Sequence, residues 1–423
     1  MTADESSGWA GLSLRELFSY LGPGFIISVA YMDPGNWATN ISGGAKFGTA
    51  LLWVIVLASL MAIGTQVVAA KLGIATGKGV AQLCREQLSR PVVWVLWAAA
   101  ELAMIATDMA EIIGAAIGFS LVFRLPLAAG AILAGVSSFA LLGVRTAHRR
   151  GFRWVEFTVM SLVGVIALAF VFEMVLARPT AGQVVAGLAP SIPNASALYI
   201  AIGILGATVM PHSVYLHPTI VQDRRDRLVR ERGDTDTVHR RHFRLESVDT
   251  TLALFGAMFV NAAMLVVAAA SLQGTGIETL DEAYLTLQSV FGTHSSLAFG
   301  IALIAAGLSS SLVATMAGQT VMDGFLDLNV NVWVRRSVTL VPSLAVVLTG
   351  FDPTSVLVAS QVALSFELPF VLIPLLWFTY QKNLMGSFTN RRTTTYGLGL
   401  VIGVVVVLNV WLLYSTLLGG GAP

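Results

Sequence analysis

Apolar runs of 18 or more residues recur along the whole chain, separated by short polar stretches. Each run is long enough to cross a hydrocarbon core of about 30 Å. The pattern predicts eleven helical spans, at 21–42, 50–73, 92–120, 125–144, 154–177, 196–219, 250–272, 296–322, 334–350, 354–380 and 394–418. Two spans are interrupted at their middle. Span 1 contains "SVAYMDPGNWATNISGG", residues 28–44, in which Asp33, Pro34, Gly35 and Asn36 stand in a row. Span 6 reads "ALYIAIGILGATVMPHSVYLH", residues 197–217, with Met210, Pro211 and His212 near its centre.

Aligning the two spans sets Asp33–Pro34 opposite Met210–Pro211. Proline removes a backbone N–H and turns the residue before it away from helical geometry. Both spans should therefore unwind at mid-membrane and leave carbonyls free. Such carbonyls cost several kcal/mol apiece in lipid, so they must face protein or a polar cavity. A single proline kink usually only shapes packing. Interruptions at matching positions of two halves point instead to a transporter site between inverted repeats.

That reading divides the chain into a tail at 1–20, a first repeat of spans 1–5 at 21–177 and a connecting loop at 178–195. A second repeat of spans 6–10 follows at 196–380, with a basic loop at 220–249, and then span 11 and a tail at 381–423. The expected fold class is an all-α polytopic membrane protein.

Composition agrees, with 56% hydrophobic and 12% charged residues, where a soluble domain has about a quarter charged. Charge also orients the spans. With the N-terminus inside, the cytoplasmic segments and their helix ends hold 22 of the 25 Lys and Arg, leaving Lys46, Arg124 and Arg178 outside. A multi-pass plasma-membrane protein with a cytoplasmic N-terminus and an extracellular C-terminus is expected. Residues 1–20 carry no signal-peptide pattern. The lone cysteine, Cys84, is expected in a loop and has no partner for an intrachain disulfide. The basic stretch "QDRRDRLVRERGDTDTVHRRHFRLE" at 222–246 reads as a topology signal near anionic headgroups, not as a nucleic-acid site. No catalytic triad, P-loop or ATP-binding domain is evident, so neither an enzyme nor an ATP-driven pump is expected.

The two breaks bring a carboxylate, an amide oxygen, freed carbonyls and a thioether. Mg²⁺ and Ca²⁺ favour all-oxygen shells, whereas thioether sulfur suits softer transition metals. Asp33 and Asn36 supply the oxygens and Met210 the sulfur that would admit Mn²⁺ or Fe²⁺. Span 3 adds Glu101, Asp108 and Glu111. At about 100° per residue, Asp108 lies about 20° from Glu101 and Glu111 about 60° from Asp108, so all three share one stripe. Intramembrane acids face a cavity or pair with one another, and this line suits a proton route. Arg335 and Arg336 at the start of span 9 are candidate partners, above all for Glu101. His212 stands beside the metal site as a titrating neighbour, not a ligand. His217 is a candidate for lining the exit, and Glu367 is an intramembrane acid without an assigned role.

"DPGN" in span 1 and "MPH" in span 6 resemble the two signature motifs of the Nramp family of proton-coupled divalent metal transporters, which includes bacterial MntH proteins. The resemblance extends to "ATDMAEIIGAAIG", "GLSSSLVATMAGQTVMDGF" and "SQVALSF" in spans 3, 8 and 10. It implies the LeuT-type fold, with a 5+5 inverted repeat and discontinuous helices 1 and 6 that move in alternating access. It implies Asp33, Asn36 and Met210 as metal ligands, with the carbonyls of Ala30 and Ala207 completing the shell in different conformations. Gln361 matches a residue that approaches the metal on occlusion. Asp108, Glu111 and the arginines match residues of the proton pathway.

The expected function is import of Mn²⁺, Fe²⁺ and similar ions as substrates, with H⁺ co-transported, no prosthetic group and a monomeric carrier in the bilayer. A metal beside Asp33 favours its deprotonated form, so metal arrival should displace a proton toward Asp108. Three other readings stay open at this stage. A Na⁺-coupled amino acid or amine symporter is disfavoured because Asp33 would repel a substrate carboxylate. A Mg²⁺ carrier would leave Met210 without a purpose, and a sensor without transport would not need paired breaks.

Overall fold

The computed structural model describes residues 22–147, 152–277 and 279–418. The expected tail at 1–20, with Arg15, and the arginines at 149 and 150 lie outside them. The elements are α1 (Pro23–Ala30), α2 (Pro34–Phe47), a 3₁₀ turn (Gly48–Leu51), α3 (Leu52–Thr76), α4 (Val80–Gln87), α5 (Arg90–Phe123), α6 (Leu127–Ala147), α7 (Phe152–Ala177) and α8 (Ala181–Ala186). They continue as α9 (Ala195–Val209), α10 (Pro211–Arg232), α11 (Asp236–Leu272), α12 (Leu280–Phe291), α13 (Thr293–Leu326), α14 (Val332–Thr349), α15 (Pro353–Tyr380), α16 (Lys382–Met385) and α17 (Arg392–Leu418).

Nine helical tracts among the described residues are long and apolar enough to cross a membrane, and α6 adds a shorter apolar one. One tract, Pro34–Thr76, is divided by the 3₁₀ turn at Gly48, whose φ of 59° favours glycine. With that division the tracts match the eleven predicted spans. Span 1 is α1 with α2, and span 6 is α9 with α10. Both interruptions fall at the expected prolines.

Two expectations about the loops are corrected. The basic segment at 220–249 is helical for nearly its whole length, because α10 runs on to Arg232 and α11 begins at Asp236. One face of this early part of α11, with His239, His242, Leu245, Glu246 and Asp249, is buried, which anchors it as a helix rather than a loop. Cys84 lies in α4, fully buried with Val80, Ala81 and Leu83 on the apolar face of that short helix.

Helices α5 and α13 form the most extensive contact in the protein. Small residues allow it: a Cβ on Gly307 would lie 2.8 Å from the Glu111 carbonyl oxygen, the close approach that small residues permit between membrane helices. The outer surface is apolar, with Leu102, Leu168, Leu348 and Leu400 among its exposed side chains. The polar side chains described next are buried inside.

Candidate metal site and charge pathway

Residues 31–33 separate α1 from α2, and Met210 alone separates α9 from α10. The position four residues after Ala30 is Pro34, and four after Ala207 is Pro211. Neither proline has the N–H that would close a helical bond to those carbonyls. The two expected carbonyls are therefore released by backbone chemistry, one at each break.

Asp33 caps α2, its Oδ1 accepting from the Asn36 backbone N–H at 2.8 Å and from Asn36 Nδ2 at 2.8 Å. The same Nδ2 donates to the Ala207 carbonyl at 2.9 Å and so ties the first break to the second. Asp33 and Asn36 are both 0% exposed, and Asp33 Oδ2 and Asn36 Oδ1 have no hydrogen-bond partner. Buried polar atoms are normally paired, so two bare oxygens on adjacent turns form a candidate pair of cation ligands. Met210 is buried with φ 39° and ψ 101°. A positive φ on a non-glycine residue costs about 1–3 kcal/mol and clusters at functional sites.

Gln361 of α15 closes over this arrangement. A Cβ on Gly35 would lie 2.0 Å from Gln361 Nε2, and one on Gly206 would lie 2.0 Å from the Gln361 carbonyl oxygen. The residue thus presses on both broken helices, with its Oε1 unpartnered. Among the described residues no three His, Cys, Asp or Glu side chains cluster as a metal-holding group. The candidate site relies on one carboxylate with amide, carbonyl and thioether donors.

The acids of α5 divide between the two arginines of α14. Arg336 Nη1 meets Asp108 Oδ1 at 2.6 Å, and both side chains are buried. Arg336 Nε donates to Ser138 at 2.9 Å, and its Nη2 to Ser311. Arg335 grips Glu101 with two nitrogens, at 2.9 and 3.3 Å. Glu101 is the partly exposed end of the line, whereas Glu111 is fully buried, without a well-formed hydrogen bond to either oxygen. His212 Nδ1 stands 3.4 Å from Thr107 Oγ1 on α5, between the second break and the acidic stripe, and its Nε2 is unpartnered.

Several partners escaped the sequence reading. Ser138, Ser311 and Thr107 look like ordinary small polar residues of apolar helices, and only packing reveals what they touch. Glu367 accepts from the Tyr215 hydroxyl at 3.1 Å. Helical spacing of buried residues across 236–249 is the signal that would have found the polar face of α11.

The solved structures agree on the architecture. The manganese transporter of Eremococcus coleocola, in complex with an aromatic bis-isothiourea substituted compound, matches with a TM-score of 0.86 at 31% identity, covering 100% of this chain and 91% of that one. MhsT in complex with L-phenylalanine matches with a TM-score of 0.59 at 14% identity over 93% of this chain and 98% of that one. Mhp1, a nucleobase-cation-symport-1 family transporter in a closed conformation, matches with a TM-score of 0.54 at 14% identity over 93% of each chain. The last two carry the fold alone, the LeuT-type arrangement with discontinuous helices 1 and 6. The family model described as "Natural resistance-associated macrophage protein-like" matches residues 24–415. With its two helix breaks, its multi-pass helical fold and that match over nearly its full length, the chain belongs to the Nramp family.

Proposed function

We propose that this chain imports divalent transition metal ions, Mn²⁺ and Fe²⁺ foremost, through the plasma membrane into the cytoplasm, coupled to protons, by alternating access. The observation that carries the reading is the meeting of the two breaks, where Asn36 bridges Asp33 and Ala207 and leaves bare Asp33 Oδ2 and Asn36 Oδ1. Family membership and the likeness to a manganese transporter support it.

In this reading Asp33, Asn36 and Met210 bind the metal, with Ala30 and Ala207 offering carbonyls in turn and Gln361 closing over it. Bound metal holds Asp33 deprotonated, and its displaced proton travels by Asp108 and Glu111 toward Glu101. Arg335 and Arg336 set the charge along that line, and His212 adjusts it beside the site. The metal is a substrate and does no redox chemistry. The carrier works as a monomer, its two repeats at 21–177 and 196–380 rocking about the breaks, with the N-terminus cytoplasmic and the C-terminus outside.

The test is Mn²⁺ uptake into proteoliposomes containing a pH dye, for the parent and Met210→Ala, with Ca²⁺ and Mg²⁺ as competitors. Mn²⁺ should enter with acidification, and the variant should become more sensitive to Ca²⁺ or Mg²⁺. A parent that moves no Mn²⁺, or competition unchanged by the substitution, overturns the ligand assignment.

A further inference from the structure

Helix α1, the half of the first broken span on the side where α10 and α11 carry their arginine-rich ends, is held at both ends by side chains that the transport reading does not use. At its start, Asp249 Oδ2 on α11 accepts from the backbone N–H groups of Gly22 at 3.2 Å and Gly24 at 2.9 Å. Just past its end, the Tyr31 hydroxyl accepts from Gln66 Nε2 at 2.8 Å. Gln66 Oε1 faces His217 Nδ1 at 2.9 Å, and His217 Nε2 faces Glu246 Oε1 at 3.3 Å. Glu246 precedes Asp249 by one turn of α11.

His217, Glu246 and Asp249 are each 0% exposed, and Glu246 Oε2 and Asp249 Oδ1 have no hydrogen-bond partner. His242 borders the group, 3.9 Å from Glu246 Oε2. A Cβ on Gly24 would lie 2.6 Å from the Thr250 backbone nitrogen, so α1 lies directly on this stretch of α11. With α1 seated, the three do not converge as a metal-holding group, although two carboxylates and an imidazole are the donor types that a divalent transition metal takes. In the present conformation the imidazole and one oxygen of each carboxylate are engaged by neighbours.

We propose that His217, Glu246 and Asp249 form a transit site for the outgoing divalent metal, masked here by α1 and opened when α1 lifts from α11. The proposal rests on the metal-transport reading above. An ion leaving Asp33 must cross a low-dielectric stretch, where an unpaired charge is costly and a carboxylate offsets that cost. The Gly22 and Gly24 amides hold Asp249 Oδ2 and leave Oδ1 bare, so an ion that takes the carboxylate through both oxygens would displace them. An ion held there keeps α1 displaced, so the path behind it stays open toward the arginine-rich face until the ion departs. A latch without metal binding would use the same hydrogen bonds, so the test must count metal.

The experiment measures loss of the free aqueous Mn²⁺ electron paramagnetic resonance signal on adding full-length protein in nanodiscs. Gly24→Ala supplies the opening, because its methyl group would collide with the α11 backbone. Asp33→Asn disables the central site. Asp33→Asn alone should bind no Mn²⁺, Asp33→Asn with Gly24→Ala should bind about one ion per chain, and adding Glu246→Gln should abolish it. Glu246→Gln retains an oxygen for His217, which preserves the packing. The proposal is overturned if the double variant binds nothing while Gly24→Ala with Asp33 intact still binds Mn²⁺. It is equally overturned if the regained ion survives Glu246→Gln.

Should Gly24→Ala fail to fold, Glu246→Gln alone decides in proteoliposomes. The maximal Mn²⁺ uptake rate should fall about threefold or more, a barrier change of about 0.65 kcal/mol or more, while the half-saturating external Mn²⁺ is unchanged. A maximal rate equal to the parent's overturns the proposal. Equal Mn²⁺ binding by the parent and Asp33→Asn would instead count against the central site, so the two readings fail separately.

Discussion

Asn36 donates its side-chain nitrogen to the carbonyl of Ala207 at 2.9 Å, joining two helix breaks that lie 171 residues apart in sequence. The same nitrogen binds Asp33 at 2.8 Å, which turns the other oxygen of that carboxylate free. One amide therefore orders the candidate site and ties the two broken helices together. Asn36→Ala should lose both services. The apparent affinity for Mn²⁺ is expected to fall about tenfold or more, since each factor of ten is about 1.4 kcal/mol. Uptake titrations in proteoliposomes read this directly, and an affinity within twofold of the parent would remove Asn36 from the site.

Two glycines meet Gln361 in different ways, and that difference is testable. A methyl group at Gly35 would collide with the amide end of the Gln361 side chain, whereas one at Gly206 would collide with its backbone carbonyl. Overpacking of this kind costs about 1–3 kcal/mol. Thermal unfolding of Gly35→Ala should recover toward the parent when Gln361→Ala is added. Gly206→Ala should gain nothing from the same second change. Equal rescue of both would mean that Gln361 is not seated as described.

Asp108 and Arg336 form a buried pair, and removing one partner strands the other charge. Such a loss typically costs about 3–5 kcal/mol. Asp108→Ala and Arg336→Ala should each lower the unfolding temperature markedly, and the double variant should be less destabilised than the sum. Asp108→Asn, which preserves shape, should still move Mn²⁺ in proteoliposomes but acidify the interior less per ion. Unchanged acidification would take Asp108 out of the proton route.

The parts legible in the sequence were those dictated by backbone chemistry and composition. Pro34 and Pro211 lack an N–H wherever they sit, so the breaks and the freed carbonyls could be placed without coordinates. The acids of span 3 could be set on one face because helical periodicity needs no tertiary information. Their partners could not be apportioned: both arginines were candidates for Glu101, and only packing gives Arg336 to Asp108 through Ser138 and Ser311. The region 220–249 was misread as a loop because its charges mask a buried face that a partner helix completes. Cys84 was assigned to a loop for a related reason, since a helix of 8 residues gives little periodic signal.

The charge asymmetry of the loops predicts sidedness. Cys84 is fully buried, so a Cys84→Ser background permits labelling at single exposed positions. Ala189→Cys, beyond α8, should react with a membrane-impermeant maleimide on intact cells, and Ser387→Cys, between α16 and α17, should not. The reverse pattern would invert the carrier, and labelling of both would mean that the span count is wrong.

Trp37 lies one turn beyond Asp33 on α2, on the opposite side of the break from α1. It is fully buried, with its ring edge-on to Phe170 at 4.8 Å and Phe299 at 5.2 Å. Its Nε1 donates to the Met32 carbonyl at 3.1 Å, inside the break itself. These contacts bring α7 and α13 against the broken helix, so the indole both fills space and satisfies a buried carbonyl at the break. Trp37→Ala would leave that carbonyl bare and open a void, and large aromatic truncations cost about 3–5 kcal/mol. Water drawn toward the carbonyl would connect Asp33 to the far side. The expected outcome is a several-fold rise in metal-free proton leak through proteoliposomes, alongside weaker Mn²⁺-driven acidification. Trp37→Phe keeps most of the packing but not the N–H, and its leak should fall between the two. A folded Trp37→Ala protein that leaks no more than the parent would mean that the seal between Asp33 and the far side is formed by other residues.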